Sequence, residues 1–587
     1  MKHFIKIVTG SCLGTLIALL LVSLIIGIYI TSASQRPTEL KKESVLLLDL
    51  TSFIPEKTGN VSEGQFEFTT ETYVGLNSIK KILKQSAEDP KINGILIKSQ
   101  YAMGGQSTLL EIRNALLDFK ESGKYVYSYS DLYSQSAYWL ATAADSVWLN
   151  PNGYVDLKGY GVAIAFYKEM LEKVGVEMNI FYSGNFKSAT EPYRRTSISE
   201  PNREQTKAFL NVMEEVMLSD VGDSRNLTMT QLKEIMDEYQ GGTAKGSLEA
   251  NLVDDLLYWD EVESRLKTQL NISENKKVTY VTLEEYLPYI KSDFNVKIKD
   301  RIAIVYAEGE ILYGTKSKGT ISDEKYGKIF DQIKRDKNVK AVVFRVNSPG
   351  GNSLVSDNIS RNIHDLKNNG IPVVASYGDY AASGGYYISA YADTIVASPN
   401  TLTGSIGVYV LFPNARKLLN EKLGIQFDTL KTSPYAVSFS PYFDLDERES
   451  NHLQKFTDDL YETFVGIVAE GRNMTFEEAE KLARGRVWTG KEAVQNGLVD
   501  KLGSLEDAIS IAAGMADISE YNISEYPKIK ENPWKEIIET LMPEESTSVH
   551  ASLSKMESEA LNTYNHLRTL AKGSGPQARL PYLFLWD

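Results

Sequence analysis

Residues 130–152, SDLYSQSAYWLATAADSVWLNPN, and residues 378–400, GDYAASGGYYISAYADTIVASPN, are two versions of one segment, offset by 248 positions. Their identities stay in register: Asp131 with Asp379, Tyr138 with Tyr386, Ala144 with Ala392, Asp145 with Asp393, Pro151 with Pro399 and Asn152 with Asn400. Self-similarity of this kind at a fixed offset marks an internal duplication. The register persists on either side with small shifts. Gly104–Gly105 matches Gly350–Gly351, Arg225–Asn226 matches Arg472–Asn473, and Leu252–Val253–Asp254 matches Leu498–Val499–Asp500. The chain therefore reads as an N-terminus with an apolar segment (1–43), a first repeat (44–270), a connector (271–299), a second repeat (300–520) and a C-terminal tail (521–587). In the tail, WKEIIETLM and SKMESEALNTYNHLRTLAK have helical patterning, and the closing LPYLFLWD is apolar enough to dock on the body or on a neighbouring subunit.

In the second repeat, RIAIVYAEGEI, KAVVFRVNS and IPVVASYGD are short runs rich in β-branched residues and bounded by Gly, Pro or Asn, the pattern of buried strands. Amphipathic stretches such as Ser353–Asn369 separate them with helical spacing. The first repeat has the same alternation, with VLLLDLT, NGILIKS and KYVYSYS. Alternating strands and helices predict an α/β fold with parallel pairing in each repeat.

Composition narrows the chemistry. The 587 residues carry 63 Lys and Arg against 77 Asp and Glu, a net charge of -14, which works against nucleic acid as a partner. A single cysteine, Cys12, excludes an intramolecular disulfide, and the five histidines are scattered with no metal-ligand spacing, so neither a metal nor another cofactor is expected. From Ile7 to Ile30 the chain runs 24 residues without a charge, longer than the ~20 a helix needs to cross a bilayer. The small residues Thr31–Ser34 leave a cleaved secretory signal as the alternative, but the apolar run is longer than a signal core, which favours one N-terminal transmembrane helix.

Two glycine-containing turns follow strands in the second repeat. Asn347–Ser348–Pro349–Gly350–Gly351 ends the strand AVVFRV, where backbone N–H groups can approach a ligand and form an oxyanion hole. Ala381–Ala382–Ser383–Gly384–Gly385 ends PVVASYGD, so Ser383 sits among small residues at a strand-to-helix turn. A serine hydroxyl needs a base, and the near absence of histidine leaves lysine. The duplication selects among the lysines: the 248-residue offset sets Ser383 against Gln135, and Lys187 against Tyr435. Each repeat then carries one member of a pair, Ser383 as nucleophile and Lys187 as general base, provided that burial lowers the amine's pKa. Ser405, in Thr403–Gly404–Ser405–Ile406–Gly407, is in a position to hold the neutral amine by a hydrogen bond.

RVNSPGG, YAASGGYYIS, TLTGSIGV and GNFKSATEPYRR together resemble the signal peptide peptidase A family in its long, duplicated form. The resemblance implies a crotonase-like (Clp-protease-like) domain in each repeat, with Ser383 and Lys187 as the catalytic dyad. It further implies support from Ser405, and oxyanion N–H groups from Gly351 and Gly384. The implied activity is hydrolysis of signal peptides and other hydrophobic peptides by an acyl-enzyme. The implied setting is the bacterial inner membrane, with the catalytic body on the periplasmic side as a homotetramer. Two other readings keep the fold: a non-catalytic peptide-binding scaffold, in which Ser383 is silent, and an acyl-CoA hydratase or isomerase, which would use carboxylates in place of a Ser–Lys pair.

Overall fold

The computed structural model describes residues 40–60, 73–314, 319–528 and 577–579. The apolar run Ile7–Ile30 and the tail's two helical stretches lie outside them. Among the described residues no helix is long and apolar enough to cross a membrane.

The first repeat is built on β1 (Ser44–Leu48), β2 (Ile92–Ile97), β3 (Tyr125–Ser130) and β4 (Ser146–Leu149), all in parallel. Its next strand, β5 (Glu177–Tyr182), leaves this sheet, while β6 (Asp255–Leu256) and β7 (Thr279–Val281) close the order β6-β4-β3-β2-β1-β7. The second repeat begins with β8 (Arg301–Glu308), β9 (Glu310–Ile311) and β10 (Thr320–Ile321), then β11 (Val339–Ser348) and β12 (Gly350–Asn352). It continues through β13 (Val373–Ala382), β14 (Thr394–Ala397), β15 (Leu402–Gly404), β16 (Tyr409–Asn414), β17 (Val487–Thr489), β18 (Lys501–Leu502) and β19 (Asn522–Tyr526). Its main sheet runs β17-β15-β13-β11-β8-β19, with β14 and β18 paired off β13. The central strands β8, β11 and β13 are buried along almost their whole length, which explains why their sequences are continuous apolar runs.

Equivalent hydrogen bonds in the two halves make the duplication visible at atomic level. Tyr138 Oη donates to Leu252 O and Tyr386 Oη to Leu498 O, each at 2.8 Å. Asp254 accepts from Val147 N and pairs with Arg225, as Asp500 accepts from Ile395 N and pairs with Arg472. Two strands lie outside the boundaries read from the sequence. Thr279–Val281, within the connector, pairs with β1, and Asn522–Tyr526, within the tail, pairs with β8. They are matching edge strands of the two sheets. Each is a short, polar or aromatic segment with one buried face, so its pattern does not separate it from a linker.

The halves are joined by backbone. A third sheet, β10-β9-β12-β20-β16-β5, takes β5 from the first repeat and lays it antiparallel on β16 of the second, from Tyr182 opposite Tyr409 to Glu177 opposite Asn414. Its remaining member, β20 (Gln577–Arg579), runs antiparallel to Gly350–Asn352 on one side and pairs with Tyr409 on the other.

Candidate active site

Ser383 sits where β13 ends and the short helix Gly384–Tyr387 begins, with φ +56° and ψ -118°. That is a backbone conformation a side chain rarely adopts, and holding it costs roughly 1–3 kcal/mol. Neighbours enforce it: Ser383 N donates to Gly404 O at 2.7 Å, and Gly385 packs so closely on Ser348 that a Cβ there would lie 2.5 Å from Ser348 O. The residue is fully buried, with its hydroxyl beside the Lys187 amine.

Lys187 arrives from the other half. β5 is anchored on β16, and five residues later the loop Ser183–Lys187 crosses to the second repeat. Ser183 N donates to Val408 O, and Phe186 N to Arg484 O at 2.9 Å. Two glycines make room. Gly485 (φ +79°) lies so near that a Cβ would meet Lys187 N at 2.6 Å and Lys187 Cα at 2.7 Å, and a Cβ on Gly407 would lie 3.2 Å from Lys187 Cδ. Gln205 ties the loop from behind: its Nε2 donates to Phe186 O and Ser188 Oγ, and its Oε1 accepts from Val487 N.

The ε-amine ends 2.8 Å from Ser383 Oγ, 3.0 Å from Ser405 O and 3.2 Å from Ser405 Oγ. A neutral amine has two N–H donors and one lone pair. The geometry suits N–H donation to the two Ser405 oxygens and acceptance of the Ser383 hydroxyl proton. Lys187 is 1% exposed and, among the described residues, no carboxylate is a hydrogen-bond partner, so desolvation holds its pKa well below the usual 10.5. The complete pair lies within one chain. Such an arrangement can activate a serine for attack on a carbonyl carbon.

The other sequence candidates fall around this pair. Ser405 (φ +50°) contributes its carbonyl as well as its hydroxyl, the carbonyl being invisible to a side-chain reading. Gly384 is the residue after Ser383 and opens the short helix, while Gly351 lies in β12, whose neighbour Ser348 packs on Gly385. At the matching place in the first half, Gln135 is buried, and its Oε1 accepts from Lys158 N and Gly159 N. Tyr435 is 44% exposed in an irregular segment, far from any comparable role. Gly485 and Gln205 belong to no motif in the sequence; the one local signal of a close approach is a glycine flanked by arginines in Ala483–Arg484–Gly485–Arg486.

The model of peptidase family S49 matches this chain twice, over residues 118–273 and 365–519. Protease 4 of Salmonella typhi is 33% identical over 517 residues, covering 85% of this chain and 83% of that protein. The protein named "Serine protease SPPA, chloroplastic" of Arabidopsis thaliana is 32% identical over 489 residues, 81% of this chain and 70% of that one. Among solved structures, a ClpP1 mutant from Listeria monocytogenes is 18% identical with a TM-score of 0.24, covering 35% of this chain and 94% of that one.

Proposed function

The chain belongs to peptidase family S49, carries its domain twice and is a serine protease, and from that premise we propose that Ser383 and Lys187 form its catalytic dyad. The observation that carries this reading is the 2.8 Å approach of a buried lysine amine to a serine hydroxyl held at positive φ. Neutral Lys187 takes the proton from Ser383 Oγ, which attacks the peptide carbonyl carbon. Backbone N–H groups of Gly351 and Gly384 stabilise the oxyanion. The lysine ammonium then gives its proton to the departing amine, leaving an acyl-enzyme, and the neutral amine so regenerated removes a proton from the water that hydrolyses it. Membership of a protease family sets aside both the silent scaffold and the acyl-CoA hydratase.

The substrates are extended hydrophobic peptides, in particular signal peptides left in the membrane after preprotein processing. The slot between β12 and β16, filled by the chain's own β20, supports recognition by strand addition through main-chain hydrogen bonds. Anchoring by Ile7–Ile30 in the bacterial inner membrane, with the body on the periplasmic side, suits such substrates. Assembly into a homotetramer is supported by the duplication. By the 248-residue offset the counterparts of the paired strands β16 and β5 are residues 161–166 and 425–430, and neither lies in a strand. Head-to-tail copies would pair them as β16 pairs with β5.

The test is cleavage of a synthetic signal peptide by the purified full chain. Ser383→Ala and Lys187→Ala should each abolish cleavage while leaving the oligomer intact by size-exclusion chromatography with light scattering. Full activity in either variant would sink the dyad.

A further inference from the structure

Arg345 is a charged side chain only 1% exposed, on the strand that leads into Gly350–Gly351. A guanidinium has five N–H donors, and each of these finds an acceptor. Nε and Nη2 take Glu56 as a fork at 2.8 and 3.2 Å, Nη2 also reaches Glu111 at 2.8 Å, and Nη1 reaches Ser376 Oγ and Tyr377 O, both at 3.0 Å. Both carboxylates come from the half that carries Lys187; both Nη1 acceptors lie on β13, the strand that ends in Ser383.

The place where Arg345 acts is a break in register. β11 and β13 pair residue for residue from Val342 with Val373 to Val346 with Tyr377, and then Ser348 pairs with Ala381. Three residues of β13, Gly378–Asp379–Tyr380, therefore oppose the single residue Asn347, a bulge that ends three residues before the nucleophile. Every part of it is held. Arg345 takes the carbonyl of Tyr377, and Asn347 Oδ1 accepts from Tyr380 N at 3.1 Å. The first turn of the helix Gln106–Lys120 grips Asp379 through Ser107 N, Thr108 N and Thr108 Oγ1 at 2.9, 3.0 and 2.7 Å. A Cβ on Gly378 would lie 2.2 Å from Glu56 Oε1, so only glycine lets that carboxylate in beneath the bulge.

Buried ion clusters of this kind contribute little net stability, because the desolvation of each charge offsets the attraction, and apolar residues often serve as well. Directionality is what an apolar set cannot supply. We propose that Arg345 is a positioning residue of the reaction: it fixes the strand presenting Gly351 against the strand presenting Ser383, in a register locked by carboxylates of the lysine-bearing half. The inference rests on the reading of Gly351 as an oxyanion donor. It makes the oxyanion geometry of one half depend on the docking of the other, so that the serine and its hole are in order only when the lysine's half is in place.

Arg345→Lys keeps the charge but offers three donors from one atom, too few to hold the fork, Glu111 and Tyr377 O together. The measurement compares a peptide aldehyde, whose adduct with Ser383 carries the oxyanion, with the same peptide as its amide, which does not. Displacing the hole by a fraction of an ångström to ~1 Å is expected to lower kcat and aldehyde affinity by about ten- to a hundredfold with amide affinity and KM within about threefold. Equal losses for aldehyde and amide, or an unchanged kcat, would overturn the proposal, since a merely structural role predicts one or the other. Gly351→Ala in the same assay separates the two readings. An unchanged aldehyde preference there means that the oxyanion reading itself is wrong, whereas a changed one beside an unaffected Arg345→Lys condemns only the role of Arg345. If Arg345→Lys lacks a cooperative thermal transition, Glu56→Gln, which blunts the fork, must shift the same ratio by at least about threefold for the proposal to stand.

Discussion

Replacing Lys187 by methionine keeps the side chain's length and removes its amine, and the first consequence expected is in how stability depends on pH. The amine is enclosed, and desolvation holds its pKa well below 10.5. In the unfolded chain the same group is hydrated and stays protonated up to about pH 10.5. Between the lowered folded value and that limit, the unfolded state carries one proton more than the folded state. Stability then rises with pH, by about 1.4 kcal/mol per pH unit for one proton. Below the folded value both states are protonated and the slope vanishes. The methionine variant lacks the group, while all other titrations are common to both proteins, so the difference between them isolates this proton. Urea unfolding of the detergent-solubilised chain, stepped up in pH to about pH 10, should show wild type gaining on the variant, at that slope once the lowered folded value is passed. The same substitution should cost at least about 10³-fold in kcat/KM, through loss of the base. A stability difference that stays flat with pH would mean that Lys187 titrates as an ordinary lysine, and the reasoning from burial to a neutral base would fail.

Gly485→Ala should act on the same amine indirectly. A Cβ there collides with the Lys187 backbone at 2.6 Å, and a lysine displaced by ~1 Å is expected to lower kcat/KM about a hundredfold, with KM little changed; wild-type turnover would show that the loop is not set by this contact. Glu308, buried beside Glu56 and bonded by Glu56 N and Asn60 Nδ2, has its pKa pushed up to about 8 chiefly by burial. A raised acid pKa means that the folded state holds the proton longer, so its contribution favours folding at low pH and is lost as pH rises from about 4.5 to about 8. Glu308→Gln should flatten this fall, a difference on the order of a few kcal/mol between the two ends, and parallel pH–stability curves for wild type and variant would refute it.

What was legible in the sequence was whatever repeats or alternates. The duplication could be read from six identities in one window, and the buried strands β8, β11 and β13 from their continuous apolar runs. The pairing of Ser383 with Lys187 was legible from comparing the copies and from the family motifs, because Ser383 alone is a serine among small residues at a turn and Lys187 alone a lysine in a polar loop. Contacts between distant segments left no such trace. Gly485 under Lys187, Gln205 behind Phe186, and Glu56 and Glu111 around Arg345 are separated by up to about three hundred positions, and no local period connects them. The edge strands Thr279–Val281 and Asn522–Tyr526 escaped for a different reason: a strand paired on one side needs too few apolar residues to stand out from a linker. The Ser405 carbonyl, which joins its own hydroxyl in holding the amine, belongs to the backbone conformation and is not encoded in residue type.

If Ser383 is a nucleophile made reactive by Lys187 across the junction of two degenerate copies, a fluorophosphonate should find it, and peptide mass spectrometry of the labelled full chain reads out where the label sits. A single adduct on Ser383 is expected, formed at least about a hundredfold more slowly in Lys187→Met. An adduct on another serine, or undiminished labelling of Ser383 without the lysine, would contradict it.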